Sequence, residues 1–307
     1  MNRRREREKY SKLKKGYYHM STDGWQDGLL FHTTGQYAYG MIQLGLLHLK
    51  FDLRIYSFCL MPNHIHILLS GSGSSCIKAF YYFKHKMSAC LLKDGCPGIP
   101  EDYWFKLVSV ENERQMRNNF IYVDRNPYEQ GLCVPTSYLW SSAHLHFSPL
   151  GTLLTGMRAD TLSAREVERR IGSRTPVPAH WQFHPLLGLL PSSFVDNRLF
   201  LKLFKNPKDY VGNLVKDYEM YVQMAEILEE EPVFSVEEVE DISQKLSSAH
   251  FPGRGVNQLT NEEKGRLCVL LNQTYKVPAS LMAQSLKIPE HIVKQFLSAK
   301  EYGKRRL

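Results

Sequence analysis

Two histidines separated by one residue occur in the segment His64-Ile65-His66, which runs into apolar residues and is predicted to form a β-strand. Alternate side chains of a strand point to the same face of a sheet, so His64 and His66 share one face while Ile65 points into the core. Two neighbouring imidazoles can chelate a divalent ion, although a histidine pair does not determine which metal binds. The alternative is two surface or hydrogen-bonded histidines on a half-exposed strand.

A tyrosine and an asparagine lie four residues apart in a second segment, Asn119 to Pro127, most of which is predicted to be helical. Tyr122 and Asn126 therefore share one face of the helix. We expect that face to point away from the core, because the neighbouring apolar side chains occupy another face. The alternative is a packed tyrosine followed by an asparagine at the helix C-terminus.

Together these side chains suggest phosphodiester chemistry. A phenol is a weak nucleophile near neutral pH because its pKa is ~10. Tyr122 could nevertheless displace an alkoxide from a phosphodiester if a cation polarised the phosphate. That cation would take three ligands from the chain, namely His64, His66 and the side-chain oxygen of Asn126. The covalent phosphotyrosine would conserve the energy of the broken bond, so rejoining would need no ATP, and the sequence has no glycine-rich phosphate loop.

The hydrophobic pattern predicts four strands and three helices around these residues, in the order β-α-β-β-α-β-α. The predicted segments are a strand at 14–22, a helix at 34–50, strands at 52–60 and 64–69, a helix at 77–92, a strand at 104–110 and a helix at 112–125. Residues 71–75 have the composition of a flexible connector, and Pro127 is expected to stop the last helix. The natural solution is an α+β, ferredoxin-like domain: a four-stranded antiparallel sheet with helices on one face, followed by an all-α C-terminal region.

Composition and turn signals divide the chain into four parts. These are a basic tail at 1–13, the domain with the histidines and tyrosine at 14–150, a linker and helical region at 151–258, and a helix-turn-helix-like domain at 259–307. In the last part, short helices at 279–286 and 290–299 are joined by a three-residue turn. The second of them would enter the major groove of duplex DNA, with contacts from His291, Lys294 and Gln295. A three-helix packing module without DNA contacts is the alternative.

The charge favours a polyanionic partner. The 307-residue chain has 39 Lys and Arg residues against 31 Asp and Glu, a formal net charge of +8, and most of the surplus lies near the N-terminus. Candidate phosphate contacts are Arg3, Arg4, Arg5, Lys14 and Lys15. A disordered solubilising tail is the alternative for this segment. Among the aromatic residues, Trp140 is a candidate for stacking on an unpaired base.

Several protein classes are excluded. No apolar run approaches the ~18–20 residues of a membrane helix, and the basic start is not followed by the apolar segment of a secretory signal. The six cysteines are scattered without a Cys-x-x-Cys pair, which indicates reduced thiols. We therefore expect a cytoplasmic protein without a membrane partner.

Three motifs resemble those of a known family. They are the lead-in Cys59-Leu60-Met61-Pro62-Asn63 before the histidine strand, the Tyr-x-x-x-Asn-Pro helix, and the Pro-x-x-Tyr-x-Trp-Ser-Ser segment at 135–142. Their order and spacing, over roughly residues 14–147, are similar to those of the single-tyrosine HUH transposases. Within that superfamily the sequence most resembles the REP-associated tyrosine transposases and their insertion-sequence relatives.

The resemblance implies a complete active site. His64 and His66 would hold Mg²⁺ or Mn²⁺, and Asn126 would complete the metal shell. Tyr122 would attack single-stranded DNA, become linked to a 5′-phosphate and leave a free 3′-OH. Members of the family bind hairpin DNA beside the cleavage site. Dimers with exchanged helices occur in the superfamily, so a homodimer is one expected assembly.

The sequence departs from the family pattern in two places. Residues 128–132 replace a small aliphatic and a basic residue before Ala-Gly-Leu, and residues 105–111 lack the expected arginine and acidic run. Because these changes affect DNA contacts, a domesticated, non-cleaving DNA-binding regulator that acts through the C-terminal helix-turn-helix is the second hypothesis. A replication initiator or plasmid relaxase shares the histidine pair. Those proteins often carry two tyrosines or a third histidine, and the Asn126-Pro127 pattern argues against them.

Overall fold

The computed structural model describes residues 3–22, 24–25, 28–216, 218–228 and 231–298. The chain divides into two compact units, residues 1–214 and 215–307. This division differs from the predicted boundaries at 150 and 258. Residues 1–2 of the predicted basic tail and residues 299–307 of the predicted C-terminal domain lie outside the described residues.

The first unit contains the sheet and the helices around it. Its helices and strands are α1 (Arg3–Ser11), β1 (Gly16–Thr22), α2 (Thr34–Lys50), β2 (Arg54–Leu60), β3 (Ile65–Gly71), α3 (Gly73–Lys93), β4 (Phe105–Val110), α4 (Glu113–Glu129), α5 (Pro149–Leu153), β5 (Met157–Arg158), α6 (Ala164–Ile171), β6 (Gln182–His184), β7 (Gly188–Leu189), α7 (Arg198–Leu203) and α8 (Pro207–Lys216). The boundary between the units falls in the last turn of α8. Of residues 71–75, predicted as a connector, Gly71 ends β3 and residues 73–75 form the first turn of α3, which the Ser72 side chain caps.

The second unit is helical. Its helices are α9 (Tyr218–Leu228), α10 (Val236–His250), α11 (Asn261–Tyr275), α12 (Ala279–Leu286) and α13 (Glu290–Ser298). Thr260 begins α11 with the predicted capping box. No helix within the described ranges has both the length and the apolar character needed to cross a membrane.

The sheet has the strand order β2-β3-β1-β4, and each neighbouring pair is antiparallel. The structure thus confirms the predicted α+β class with its four-stranded antiparallel sheet and helical C-terminal region. Strand β1 is central, and its residue Ser21 lies opposite His66 of β3. This pairing places side chains of β1 beside the histidine strand.

Helices cover both faces of the sheet. On one face α3 packs through Phe80, whose ring centroid is 4.6 Å from that of Phe105. On the other face lies α4, which was expected on the same side as the other helices. The reason is that successive residues of β3, Ile67 and Leu68, are both fully buried, so each face needs an apolar cover.

Helix α4 also continues past the point where a proline was expected to stop it. Pro127 lies inside the helix, which ends at Glu129. A proline in a helix removes one backbone hydrogen bond. Here the side chains of Arg125 and Glu129 form an ion pair across that turn, with Nε and Oε1 2.7 Å apart. The buried pair and the packing of α4 on the sheet hold the last turn in place.

Residues 151–214, part of the predicted linker and helical region at 151–258, belong to the first unit. Trp181 and Leu189 pack on α2 at Gly45, where a side chain would collide with Leu189. Further along, the Tyr210 hydroxyl of α8 donates a hydrogen bond to Asp124 of α4 over 2.7 Å. Both ends of this segment are therefore anchored to helices that pack on the sheet.

Candidate metal and nucleophile site

The predicted metal ligands and nucleophile lie together where β3 begins. His64 immediately precedes β3, His66 lies within it, and α4 crosses the same face of the sheet. The ring centroid of His66 is 4.9 Å from that of His64 and 5.6 Å from that of Tyr122. Asn126, one turn after Tyr122, completes the group through its contact with His64.

Tyr122 was expected to point away from the core, but it does not. Its side chain lies against the second face of the sheet and is only 3% exposed. The opposite side of the helix is also covered, since Phe120 packs on Phe200 of α7 with ring centroids 5.3 Å apart. Tyr122 is thus buried, but it remains next to His66 of β3 and His19 of β1.

The hydrogen bonds around His64 determine which of its nitrogens is protonated. Its Nδ1 atom is 2.8 Å from Oδ1 of Asn63, and because an amide oxygen can only accept, Nδ1 is the donor. The uncharged imidazole then has a lone pair on Nε2. That atom lies 3.4 Å from Oδ1 of Asn126, whose amide nitrogen donates to the carbonyl of Tyr122 over 2.9 Å. Two acceptor atoms therefore face each other.

His66 has a buried ring nitrogen without a partner. It is fully buried, and its Nε2 atom has no hydrogen-bond partner among the described residues. Its other nitrogen, Nδ1, is 3.1 Å from Nε2 of His19 on β1. A buried polar atom without a partner is unfavourable unless something absent from the chain itself binds it.

Burial keeps these imidazoles neutral. Loss of hydration lowers the pKa of His64 to about 4, against a smaller opposing effect of the Asn126 side chain, whose oxygen would accept a hydrogen bond from the charged form. The pKa of His66 is lowered well below its usual value, first by burial and then by the nearby imidazoles of His64 and His19, while the Asn126 amide opposes the shift. A neutral imidazole is the form that binds metal, so the site keeps its donors free at neutral pH.

The donor set fits a divalent cation. With His64 protonated on Nδ1, its Nε2 atom and Asn126 Oδ1 are both acceptors, and the neighbouring His66 adds a buried Nε2 atom without a partner. Amide oxygen suits Mg²⁺ or Mn²⁺ and imidazole suits several transition metals, so the set fits a divalent cation without selecting one. No group of three or more His, Cys, Asp or Glu side chains in the described part of the chain is placed to hold a metal. The set at this site thus has two imidazoles, and the amide of Asn126 is its third candidate donor.

Two residues of the site were missed in the sequence. His19 is fully buried in β1, with its ring centroid 5.9 Å from that of Tyr122, and its Nδ1 atom is 2.7 Å from Oδ1 of Asn119 on α4. The available signal was a histidine within a predicted strand. Its significance depends on β1 lying next to β3, a pairing that local sequence patterns do not reveal.

Of the N-terminal basic candidates, Arg3, Arg4 and Arg5 lie in helix α1, whereas Lys14 and Lys15 follow it. Tyr10 anchors α1 on Phe105, on the sheet face opposite Tyr122. The candidate phosphate contacts in this region are all exposed: Arg3, Arg4, Arg5, Lys14 and Lys15. Arg3 approaches Asp102 to 3.7 Å, and Lys15 forms an ion pair with Asp52 over 2.8 Å.

Trp140 already has an aromatic neighbour within the protein. Its ring stacks on that of Tyr37 with a centroid distance of 4.8 Å, and Tyr37 in turn stacks on Phe31. Trp140 is partly buried. At least one face of the indole is therefore occupied by the chain itself.

The candidate DNA contacts of the second unit share one exposed surface of α13. They are His291, Lys294 and Gln295. The buried side of the helix is marked by Val293, and Lys294 pairs with Glu290 over 2.8 Å. Helix α13 packs on α11 and α12. The arrangement leaves the predicted recognition surface open.

Comparisons with known proteins add little to this geometry. No protein-family model matches the sequence, and no curated protein matches it. Among solved structures, the chain is similar to a REP-associated tyrosine transposase bound to a REP hairpin, with 17% sequence identity and a TM-score of 0.36. The likeness covers 43% of this chain and 79% of that one. A TM-score this low does not establish a shared fold, so the functional conclusion depends on the site itself.

Proposed function

We propose that the protein is a metal-dependent enzyme that cleaves single-stranded DNA and transfers the strand through a covalent link to Tyr122. The observation that carries the proposal is the convergence of His64 Nε2, Asn126 Oδ1 and the unpartnered Nε2 atom of His66 beside the ring of Tyr122. The sequence motifs around these residues, which resemble those of single-tyrosine HUH transposases, point to the same chemistry.

In the proposed reaction the two histidines and Asn126 hold Mg²⁺ or Mn²⁺, which would polarise the scissile phosphate. The oxygen of Tyr122 forms a bond to phosphorus, and the bond from phosphorus to the 3′ oxygen breaks. The phenol loses its proton and the departing oxygen gains one, which leaves a 5′-phosphotyrosine and a free 3′-OH. The reverse attack by another 3′-OH joins a new strand without a further energy source.

The burial of Tyr122 requires an additional step. Tyr122 is 3% exposed and so offers almost no surface to DNA in this conformation. The proposed cycle therefore includes a rearrangement around α4 when DNA binds. Closing the site before and after reaction would also limit attack of water on the phosphotyrosine.

The proposed substrate is single-stranded DNA next to a hairpin, following the sequence resemblance. The proposed second partner is duplex DNA, bound through the exposed surface of α13. Exchange of α4 between two copies is a further proposal, because superfamily members form such homodimers.

A regulator that binds DNA without cutting it is the second candidate. The observation in its favour is the combination of a buried Tyr122 and an exposed α13 surface. It predicts that duplex binding through the second unit accounts for all measurable affinity, and that no metal is needed.

The test uses hairpin DNA with a single-stranded extension, labelled at either end and incubated with the full chain and Mn²⁺. We expect the 3′-labelled fragment to remain attached to protein on a denaturing gel and the 5′-labelled fragment to be released. Tyr122→Phe and chelation by EDTA should each abolish the adduct, whereas Tyr128→Phe, on an exposed tyrosine of the same helix, should not. Undiminished cleavage by Tyr122→Phe would remove Tyr122 as the nucleophile, and intact duplex binding without cleavage would favour the regulator.

A further inference from the structure

A chain of hydrogen bonds connects α4 to His66 through β1. The amide nitrogen of Asn119 donates to the carbonyl of Gln115 over 2.7 Å, which orients its oxygen towards Nδ1 of His19. Because that oxygen can only accept, the proton of the 2.7 Å contact belongs to His19 Nδ1. The orientation of one amide thus determines the protonated nitrogen of a buried imidazole.

The position of the proton on His19 in turn determines the position of the proton on His66. An uncharged His19 that is protonated on Nδ1 has only a lone pair on Nε2. The 3.1 Å contact between this atom and Nδ1 of His66 is then a hydrogen bond in which His66 donates. An uncharged His66 protonated on Nδ1 has its lone pair on Nε2, the buried atom without a partner.

We infer that His19 and Asn119 are positioning residues that hold His66 in the tautomer whose Nε2 atom is free to bind a divalent cation. The inference deepens the proposed function and rests on its metal site. Both histidine ligands are then protonated on Nδ1, because Asn63 accepts a hydrogen bond from Nδ1 of His64 directly. A second partner that fixes tautomer and ring orientation is a general requirement of histidine ligands.

The burial of His66 explains why two residues, His19 and Asn119, are needed to hold its tautomer. His66 is fully buried in the second strand of the sheet, where backbone groups are engaged in the ladder with β1 and β2. A side chain on the neighbouring strand is then the available partner for Nδ1. The Nε2 atom of His19 can accept this hydrogen bond only if the proton of His19 is on Nδ1. Asn119 of α4 accepts the hydrogen bond from that Nδ1 atom.

The alternative is that His19 only fills space in the core. An apolar side chain would then serve equally well, and the protonated nitrogen of His66 would not matter. The two explanations differ for His19→Gln and His19→Leu. Glutamine offers an oxygen that can accept from His66, whereas leucine has a similar size but no acceptor.

The first measurement uses the metal-free wild-type protein. Long-range ¹H–¹⁵N NMR spectra of the imidazoles identify which nitrogen carries the proton, with His66→Gln used to assign the His66 signals. We expect the proton of His66 on Nδ1 and that of His19 also on Nδ1. A His66 protonated on Nε2 would overturn the inference, whether or not the protein binds metal.

The second measurement compares Mn²⁺ affinities by calorimetry. We expect His19→Leu and Asn119→Leu to weaken binding by about 10–100-fold, the usual effect of removing a partner behind a metal ligand. His19→Gln should restore most of the affinity. His146→Leu, at another fully buried histidine of the same unit, is the control for disturbance of the core and should bind Mn²⁺ like the wild type.

The outcomes separate this inference from the proposed function. If His66→Leu binds Mn²⁺ as well as the wild type, the metal site itself is wrong. If His66→Leu loses binding while His19→Leu retains it, only the role of His19 is wrong. If His19→Leu fails to fold, Asn119→Leu and the wild-type spectrum still decide between positioning and packing.

Discussion

The Nε2 atom of His64 and the Oδ1 atom of Asn126 face each other at 3.4 Å, and with His64 protonated on Nδ1 both are acceptors. The other polar atom of each side chain already donates a hydrogen bond. His64 Nδ1 donates to Asn63, and the amide nitrogen of Asn126 donates to the carbonyl of Tyr122. Such a pair is stabilised by a proton or by a cation between the two atoms. Burial disfavours the proton, because it lowers the pKa of His64 to about 4. A cation is therefore the occupant that this contact favours at neutral pH.

Removing the amide oxygen should weaken metal binding. In Asn126→Leu the site keeps its two imidazoles but loses the third donor, so the affinity for Mn²⁺ should fall more than about tenfold. Calorimetric titration measures the change. Asn118→Leu, at a partly exposed asparagine on the same helix, is the matched control and should bind normally. Equal affinities for the two variants would exclude Asn126 as a ligand.

The buried histidines should make the metal-free protein less stable in acid. Burial lowers the pKa of His19 to about 4, while the unfolded chain takes up this proton near pH 6.5. Between those values the unfolded state binds more protons, so the free energy of unfolding falls as the pH falls, by up to about 3 kcal/mol for this residue. Asp124 acts in the opposite sense, since burial raises its pKa to about 7.

A comparison with His19→Gln isolates the contribution of this histidine, because Asp124 is present in both proteins. Urea unfolding at pH 5.0, 5.5 and 6.0 should give a slope that is smaller in the variant by about 1.2 kcal/mol per pH unit, slightly less than the value for one whole proton. Parallel slopes would mean that His19 titrates normally in the folded protein.

The contact between α8 and α4 should contribute to stability. Tyr210→Phe removes a donor from the fully buried carboxyl of Asp124 and leaves the hydroxyl of Ser57, at 3.2 Å, as the other one. The expected loss is about 1–3 kcal/mol in the free energy of unfolding. Tyr128→Phe, on an exposed tyrosine, should change it by less than about 0.5 kcal/mol. Equal stabilities would show that α8 is not anchored through this hydrogen bond.

Duplex binding should depend on α13 and cleavage should not. Replacing His291, Lys294 and Gln295 together by alanine should lower the affinity for duplex DNA and reduce its salt dependence, while Mn²⁺-dependent adduct formation on hairpin DNA persists. Fluorescence anisotropy at several salt concentrations measures the first effect. Arg266→Ala on α11 removes an equal charge and should leave duplex affinity unchanged. Loss of adduct formation in the triple variant would contradict the separation of the two activities.

The sheet and the main helices were predictable because their apolar patterns are local. The alternation around His66 and the helical spacing of Tyr122 and Asn126 each follow from a few neighbouring residues. The contact of His19 with Asn119 was not predictable in this way, since 100 positions separate the two residues. The direction of Tyr122 also depends on which face of the sheet α4 covers.

The extent of the first unit was underestimated for a similar reason. The prolines and short elements after residue 150 are typical of a linker when each is considered alone. Trp181 becomes part of the core only through α2, more than a hundred positions earlier in the chain. The end of α4 was also misjudged from local sequence. Pro127 alone would end the helix, but the contact between Arg125 and Glu129 retains its last turn.

The most direct test of the account is to locate the DNA on the protein. The covalent adduct formed with Mn²⁺ is digested with trypsin and analysed by mass spectrometry. Arg125 lies between the two tyrosines of α4, so cleavage there separates a peptide containing Tyr122 from the one containing Tyr128. The account predicts a nucleotide phosphate on the Tyr122 peptide alone. DNA attached to another residue, or cut DNA without any attached peptide, would contradict it.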